Sequence, residues 1–184
     1  RRLDCLKKIE SSSIYLLRLL NDVLDMSKIE SGKMRLVVDK FNLKRMMQGI
    51  KPLIESKLTE KNITYIEDIT LEHEWFMGDE LRLNQVLINF LSNAVKYCNE
   101  GGYIRMTVSE KSGNGKSEIY FAVQDDGAGI AKDKQQLIFK RFEQADDSDE
   151  ARTQGTGLGL AISTRLVHMM GSEIQLESAP GEGS

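Results

Sequence analysis

The sequence predicts an α+β protein: a two-layer α/β sandwich, a mixed sheet with helices on one face, preceded by one long helix. Three observations lead there. Residues 3–30 carry an apolar seam, Leu6, Ile9, Ser13, Leu16, Leu20, Val23 and Ser27, at alternating spacings of three and four. Short stretches with strand alternation then interleave with helical ones. Of the 184 residues, 40% are hydrophobic and 29% charged, which suits a packed core and argues against disorder.

The first helix carries a second apolar row, Leu3, Leu17 and Leu24. So wide a face needs other helices to cover it, or else the body of its own domain. Ser31-Gly32 breaks it, with Gly32 suited to the position just past a helix. Met34–Phe41 reads as a strand and Leu43–Leu58 as a helix capped by Asn42. Ile63–Ile69 alternates like a strand, and Trp75–Met77 makes a short one. Asp79–Cys98 is the strongest helix: Leu83, Val86, Leu87, Phe90, Leu91, Ala94 and Val95 share a face. Tyr103–Glu110 and Glu118–Gln124 are strands, Gly157–Met170 a helix, and Glu173–Ser178 a final strand.

The formal charge of −3 suggests no duplex-binding surface, so no nucleic-acid partner is expected. Cys5 and Cys98 give neither a disulfide framework nor zinc spacing and read as free thiols in a reducing compartment. No apolar run approaches the roughly 18 residues that span a bilayer, and no signal peptide is visible. The helical start and abrupt Gly183-Ser184 end read as those of a fragment.

Four constellations carry candidate chemistry. In Asp125-Asp126-Gly127-Ala128-Gly129-Ile130 a strand ends in a carboxylate and two spaced glycines follow. Glycine lets a ligand approach the backbone, and the carboxylate can accept from an exocyclic amine such as that of adenine; an ordinary Asp-Gly turn needs the same residues. In Gly155-Thr156-Gly157-Leu158-Gly159 alternating glycines lead into a helix, an arrangement that offers N–H groups to phosphates or simply hinges. It is neither the dinucleotide fingerprint nor a Walker loop. Asn89 and Asn93 lie four apart on one helix face, followed by Lys96 and Tyr97. Their amide oxygens suit Mg²⁺ and the lysine suits phosphate, although solvated amides fit equally. Phe139 and Phe142 can anchor a segment or serve as core. The polar, acidic stretch 144–154 beyond them has the composition of a lid, and Arg152 within it can reach a phosphate or remain solvated.

Two further patterns read as structural. Gly113-Asn114-Gly115-Lys116-Ser117 imitates the end of a P-loop, but strands flank it, so a hairpin turn is expected. His73 and His168 have no metal-ligand spacing and read as structural or solvated.

The joint order is more specific than any part. Asn89-x-x-x-Asn93, Asp125-x-Gly127-x-Gly129, Phe139-x-x-Phe142 and Gly155-x-Gly157-x-Gly159 resemble the N, G1, F and G2 boxes of sensor histidine kinases. Leu19–Gly32 resembles that family's second dimerisation helix. The resemblance implies a gyrase-type (Bergerat) ATP-binding fold, with residues 1–33 a partial dimerisation and phosphotransfer element and 34–184 the ATP-binding domain without its last strand. It implies ATP with Mg²⁺ as cofactors. Asp125 would accept from the adenine amine, and Gly127, Gly129 and Ile130 would shape the base pocket. Asn93, with Asn89, would ligate Mg²⁺, while Lys96 and Tyr97 would meet phosphate or ribose. Gly155, Thr156, Gly157, Leu158 and Gly159 would hold the phosphates, Phe142 would seat the lid, and Arg152 would stand in for an arginine that some members carry where Gln144 is found here.

The implied reaction is γ-phosphoryl transfer to a histidine absent from this sequence, for relay to a response-regulator receiver domain. Dimerisation would use the first helix. The piece would be cytoplasmic, and membrane contact would come only through other parts of a membrane-anchored parent. Cys98 and Asn99 depart from the family's usual hydroxyl and proline. A nucleotide-binding regulator without catalysis and a gyrase- or chaperone-type ATPase are the alternatives; the phenylalanine pair and leading helix argue against the latter.

Overall fold

The computed structural model describes residues 2–113, 116–140 and 157–184. Helix α1 (Arg2–Glu30) ends where Gly32 turns to φ +64 and its N–H bonds the carbonyl of Ile29. A side chain there would strain the left-handed backbone, so the glycine ends the helix as expected. The chain continues through β1 (Asp39–Asn42), α2 (Leu43–Gln48), α3 (Lys51–Glu60), β2 (Thr64–Thr70), β3 (Trp75–Gly78), α4 (Glu80–Tyr97), β4 (Tyr103–Gly113), β5 (Lys116–Asp125) and α5 (Gly159–Met169).

The three-stranded sheet has the order β2-β4-β5, with β2 parallel and β5 antiparallel to β4. It is therefore mixed, as predicted. Strands β1 and β3 form a separate antiparallel ribbon. Ile104, Met106 and Val108 on one face of β4 are fully buried and pack with Leu87, Leu91, Ala94 and Val95 of α4 and with Ile54 and Leu58 of α3. The opposite sheet face carries the exposed Arg105–Asp68 pair and the exposed Tyr120. Helices thus cover one face only. The hairpin register runs to Gly113↔Lys116, so the P-loop-like sequence belongs to an antiparallel ladder.

Three boundaries differ from the sequence expectation. The strand expected over Met34–Phe41 shortens to Asp39–Asn42 because its partner β3 has only four residues. Upstream, the N–H of Val37 donates to Asp79 Oδ2 at 2.9 Å, and Met34 is buried against Met26, Leu158 and Leu166. The helix expected over Leu43–Leu58 divides at Gly49. Pro52, in the first turn of α3, lacks the N–H that a continuous helix would need.

The strand expected at Glu173–Ser178 is the third difference: the segment joins neither sheet. Ser178 instead ties down the loop after β5. Its Oγ accepts from Ile130 N at 2.8 Å, and its carbonyl accepts from Gln135 Nε2 at 2.7 Å. The single apolar face expected on α4 also divides. Leu87 and Leu91 join the sheet core, while Val86 and Phe90 join a second cluster with Met26 of α1 and Ile162 and Leu166 of α5. That second cluster sets α1, α4 and α5 against one another and so builds one wall of the site.

Candidate functional site

Helix α4 is fixed at both ends. Asp79 Oδ1 caps its start by accepting from Arg82 N at 3.0 Å. At its end the Lys61 ammonium donates to the carbonyls of Val95 at 2.9 Å, Lys96 at 2.7 Å and Cys98 at 3.4 Å. A cation there satisfies orphan carbonyls and complements the helix dipole. The anchoring matters because this stretch carries Lys96 and Tyr97, whose side chains stack with Nζ 4.7 Å from the ring centre.

Asp125 ends β5 beside that helix and is buried. Burial pushes its carboxyl above the usual range, while the Gly127 N–H donated to Oδ1 at 2.9 Å acts the other way. Its backbone exchanges two hydrogen bonds with Ser184, at 2.9 and 3.2 Å. Gly127 has no room for a side chain: a Cβ would meet the Tyr97 carbonyl and, at 2.7 Å, Asp125 Oδ1. Gly129 stands at φ +66 against the Ala179 carbonyl. Both glycines are therefore required by close approach of backbone from another element.

Asp126 points the other way and holds the turn. The Cys98 thiol donates to its Oδ1 at 3.1 Å, and Asn99 Nδ2 donates to its carbonyl at 2.7 Å. Burial, then the hydrogen bond with Asp126, pushes the thiol up to about 12, so it stays protonated as a donor. This explains how cysteine serves where a hydroxyl is usual. Sequence reading noted Cys98 and Asn99 as departures but missed their shared partner, which only the fold brings near.

At the far side Asn89 of α4 donates from Nδ2 to Ser163 Oγ of α5 at 2.8 Å. A Cβ on Gly159 would run into the Asn89 amide oxygen. Asn89, Asn93, Lys96, Tyr97, Asp125, Gly129, Ile130, Phe139, Gly157 and Gly159 all line one open cleft of about 2070 Å³. It exceeds the roughly 300–1,000 Å³ of a small-molecule site because it also runs to α1 and along β5. Gly127 and Leu158 stand behind its wall, both buried. Phe142, Arg152, Gly155 and Thr156 lie outside the described residues. Sequence reading missed Ser163, although a serine among Ala161, Ile162 and Leu166, all buried, was a legible signal.

The arrangement fits an adenine nucleotide with a divalent cation. It offers a buried carboxylate for an amine, amide oxygens for a hard ion, a lysine for phosphate, and a glycine-rich entry to a helix. One other group could be taken for a metal site: Glu72, His73 and Glu110. Glu110 is already engaged, accepting from the backbone N–H of Glu72 at 2.8 Å and of His73 at 2.9 Å, and meeting His73 Nδ1 at 2.6 Å. We read it as a clamp on the turn between β2 and β3. Among the described residues no helix is long and apolar enough to cross a membrane.

Comparison with known proteins follows the same lines. Residues 78–184 match the family described as histidine kinase-, DNA gyrase B-, and HSP90-like ATPase. The sensor histidine kinase GacS of Pseudomonas protegens is 39% identical over 188 aligned positions, covering the whole chain and 20% of that protein. The chain thus spans about a fifth of that curated relative. Full-length ShkA, solved in complex with AMPPNP, superposes with a TM-score of 0.78 at 31% identity, over 94% of this chain and 35% of that one. ThkA, solved in complex with the response regulator TrrA, shares the fold, with a TM-score of 0.69 at 24% identity over 96% and 48% of the two chains.

Proposed function

Because the chain belongs to the histidine kinase-, DNA gyrase B- and HSP90-like ATPase family, we propose that it is the ATP-binding catalytic module of a sensor histidine kinase. The observation that carries this is the buried Asp125 facing the same cleft as Asn89, Asn93, Lys96, Gly157 and Gly159. Asp125 accepts from the adenine amine, and burial makes it selective for a donor. Gly127 and Gly129 leave room for the base. Lys96 meets phosphate, and the amide oxygens of Asn93 and Asn89 hold Mg²⁺. The ion supplies neutralisation of charge on the phosphates. The residues of this chain orient the nucleotide; the accepting histidine belongs to another segment. Phe142, Arg152, Gly155 and Thr156 complete the site as a lid over the phosphates.

Residues 1–33 form the dimerisation part and 34–184 the nucleotide-binding part. The homodimer uses α1, which exposes Leu16, Leu17, Leu20, Val23 and Leu24, an apolar face that a second helix pair can cover. The downstream partner is a response-regulator receiver, a reading supported by the ThkA–TrrA complex. The module works in the cytoplasm, beneath a membrane-anchored parent. Calorimetric titration with Mg²⁺-ADP tests the nucleotide site: the chain binds, and Asp125→Asn loses most of that binding. Absence of binding by the unmodified chain overturns the reading.

A further inference from the structure

The page holds one buried polar contact that the nucleotide reading does not use. Ser163 is 2% exposed, and its hydroxyl accepts from Asn89 Nδ2 at 2.8 Å. A carboxamide has one accepting end and one donating end, and only the oxygen can serve a cation. Which end faces the cleft is therefore a functional choice. A serine inside a helix tends to give its proton to the carbonyl four residues back, leaving its lone pairs to accept. Asn89 Oδ1 is turned toward Gly159, the first residue of α5, where the positive end of the helix favours oxygen over N–H. The missing Cβ of Gly159 makes room for that orientation.

We infer that Ser163 is a positioning residue: by holding Asn89 Nδ2 it presents Asn89 Oδ1 to the cation that accompanies the nucleotide. The inference rests on the reading that α4 and the start of α5 bracket a nucleotide with its magnesium. Ser163 touches neither ligand. It acts through Asn89, as groups behind a metal ligand commonly do. The same contact gives Gly159 a second requirement, space for the Asn89 amide, independent of phosphate.

The test is the affinity for ADP measured calorimetrically with Mg²⁺ and with EDTA, in the unmodified chain, Ser163→Ala, Asn89→Asp and the double variant. Ser163→Ala is expected to weaken Mg²⁺-ADP about tenfold and to change metal-free ADP less than about twofold. Asn89→Asp presents oxygen at both ends, so adding Ser163→Ala to it should leave the magnesium dependence unchanged. In the ligand-free protein the Asn89 side-chain amide proton signals should shift and exchange faster in Ser163→Ala. Equal weakening with and without magnesium would mark Ser163 as merely structural and overturn the inference, as would no change in either. Failure of the unmodified chain to bind ADP, read before any variant, would remove the nucleotide reading itself.

Discussion

Asp125 shows burial and recognition opposed in one side chain. Burial disfavours its charged form and raises its pKa. The ionised carboxylate therefore lowers stability as pH rises through that raised value, and the cost stays at neutral pH. Asn in its place keeps an acceptor for the Gly127 N–H. Asp125→Asn should melt higher than the unmodified chain at pH 7, with the gap closing below pH ~4, the ordinary carboxylate range, while nucleotide affinity falls. Equal melting curves at neutral pH would contradict this account. Gly127→Ala is a second residue-scale prediction. Its Cβ meets backbone, the Tyr97 carbonyl, which cannot swing aside as a flexible side chain would. We expect a loss of about 1–3 kcal/mol in denaturant unfolding, with nucleotide binding lost as well.

At the scale of elements, α4 depends on a side chain from the end of α3. Lys61 donates to three carbonyls. Lys61→Met keeps the stem and removes the charge, so it isolates the cap. Denaturant unfolding should report a loss of about 1–3 kcal/mol, and amide exchange should quicken at residues 95–98 before the rest of α4.

The turn between β2 and β3 depends on pH instead. Hydrogen bonding and charge attraction from Glu110 raise the His73 pKa. Burial of Glu110 opposes its ionisation, but hydrogen bonds from Ser117, His73 and the backbone outweigh it and bring Glu110 to about 2. The His73 contribution is full below its unfolded value of about 6.5 and fades as pH rises through the raised one. The Glu110 contribution is full above its unfolded value of about 4.3 and fades as pH falls toward 2. The clamp is thus strongest between those two unfolded values. Glu110→Gln should flatten the melting temperature against pH on both sides of that window; parallel curves would show that the clamp adds nothing.

For the whole molecule, the polar contact between α1 and α4 decides how the long helix sits. Asp25 Oδ2 accepts from Arg82 Nη1 at 2.8 Å and from Gln85 Nε2 at 3.0 Å. Arg82 and Asp25 are 21% and 15% exposed, so solvent screens the pair only in part. Beside them Met26 and Met34 pack on Val86, Ile162 and Leu166. A double-mutant cycle with Arg82→Ala and Asp25→Ala should give a coupling near ~1 kcal/mol. Both variants should quicken amide exchange in the second half of α1. Additive effects would mean that the apolar cluster alone seats the helix.

The local order of the chain was written in its residues. Periodicity alone located α1, α4 and the β4–β5 hairpin, since strong patterns of 3.6 and 2 need no distant partner to be read. The glycine and asparagine spacings marked Asn89, Asn93, Asp125, Gly127, Gly129, Gly157 and Gly159, and the fold brings all of them to one cleft or its wall. What the sequence could not decide depended on partners remote along the chain. Strand β1 is short because β3 is short and because Asp79 takes the Val37 N–H. Residues 173–178 stay out of the sheet while Ser178 ties down the loop after β5. Ser163 gained a role only when α5 packed on α4, and Cys98 only when Asp126 came within reach of its thiol. Periodicity records which face of an element is apolar. It does not record which polar atom on another element will satisfy a buried donor, and only tertiary packing settles that.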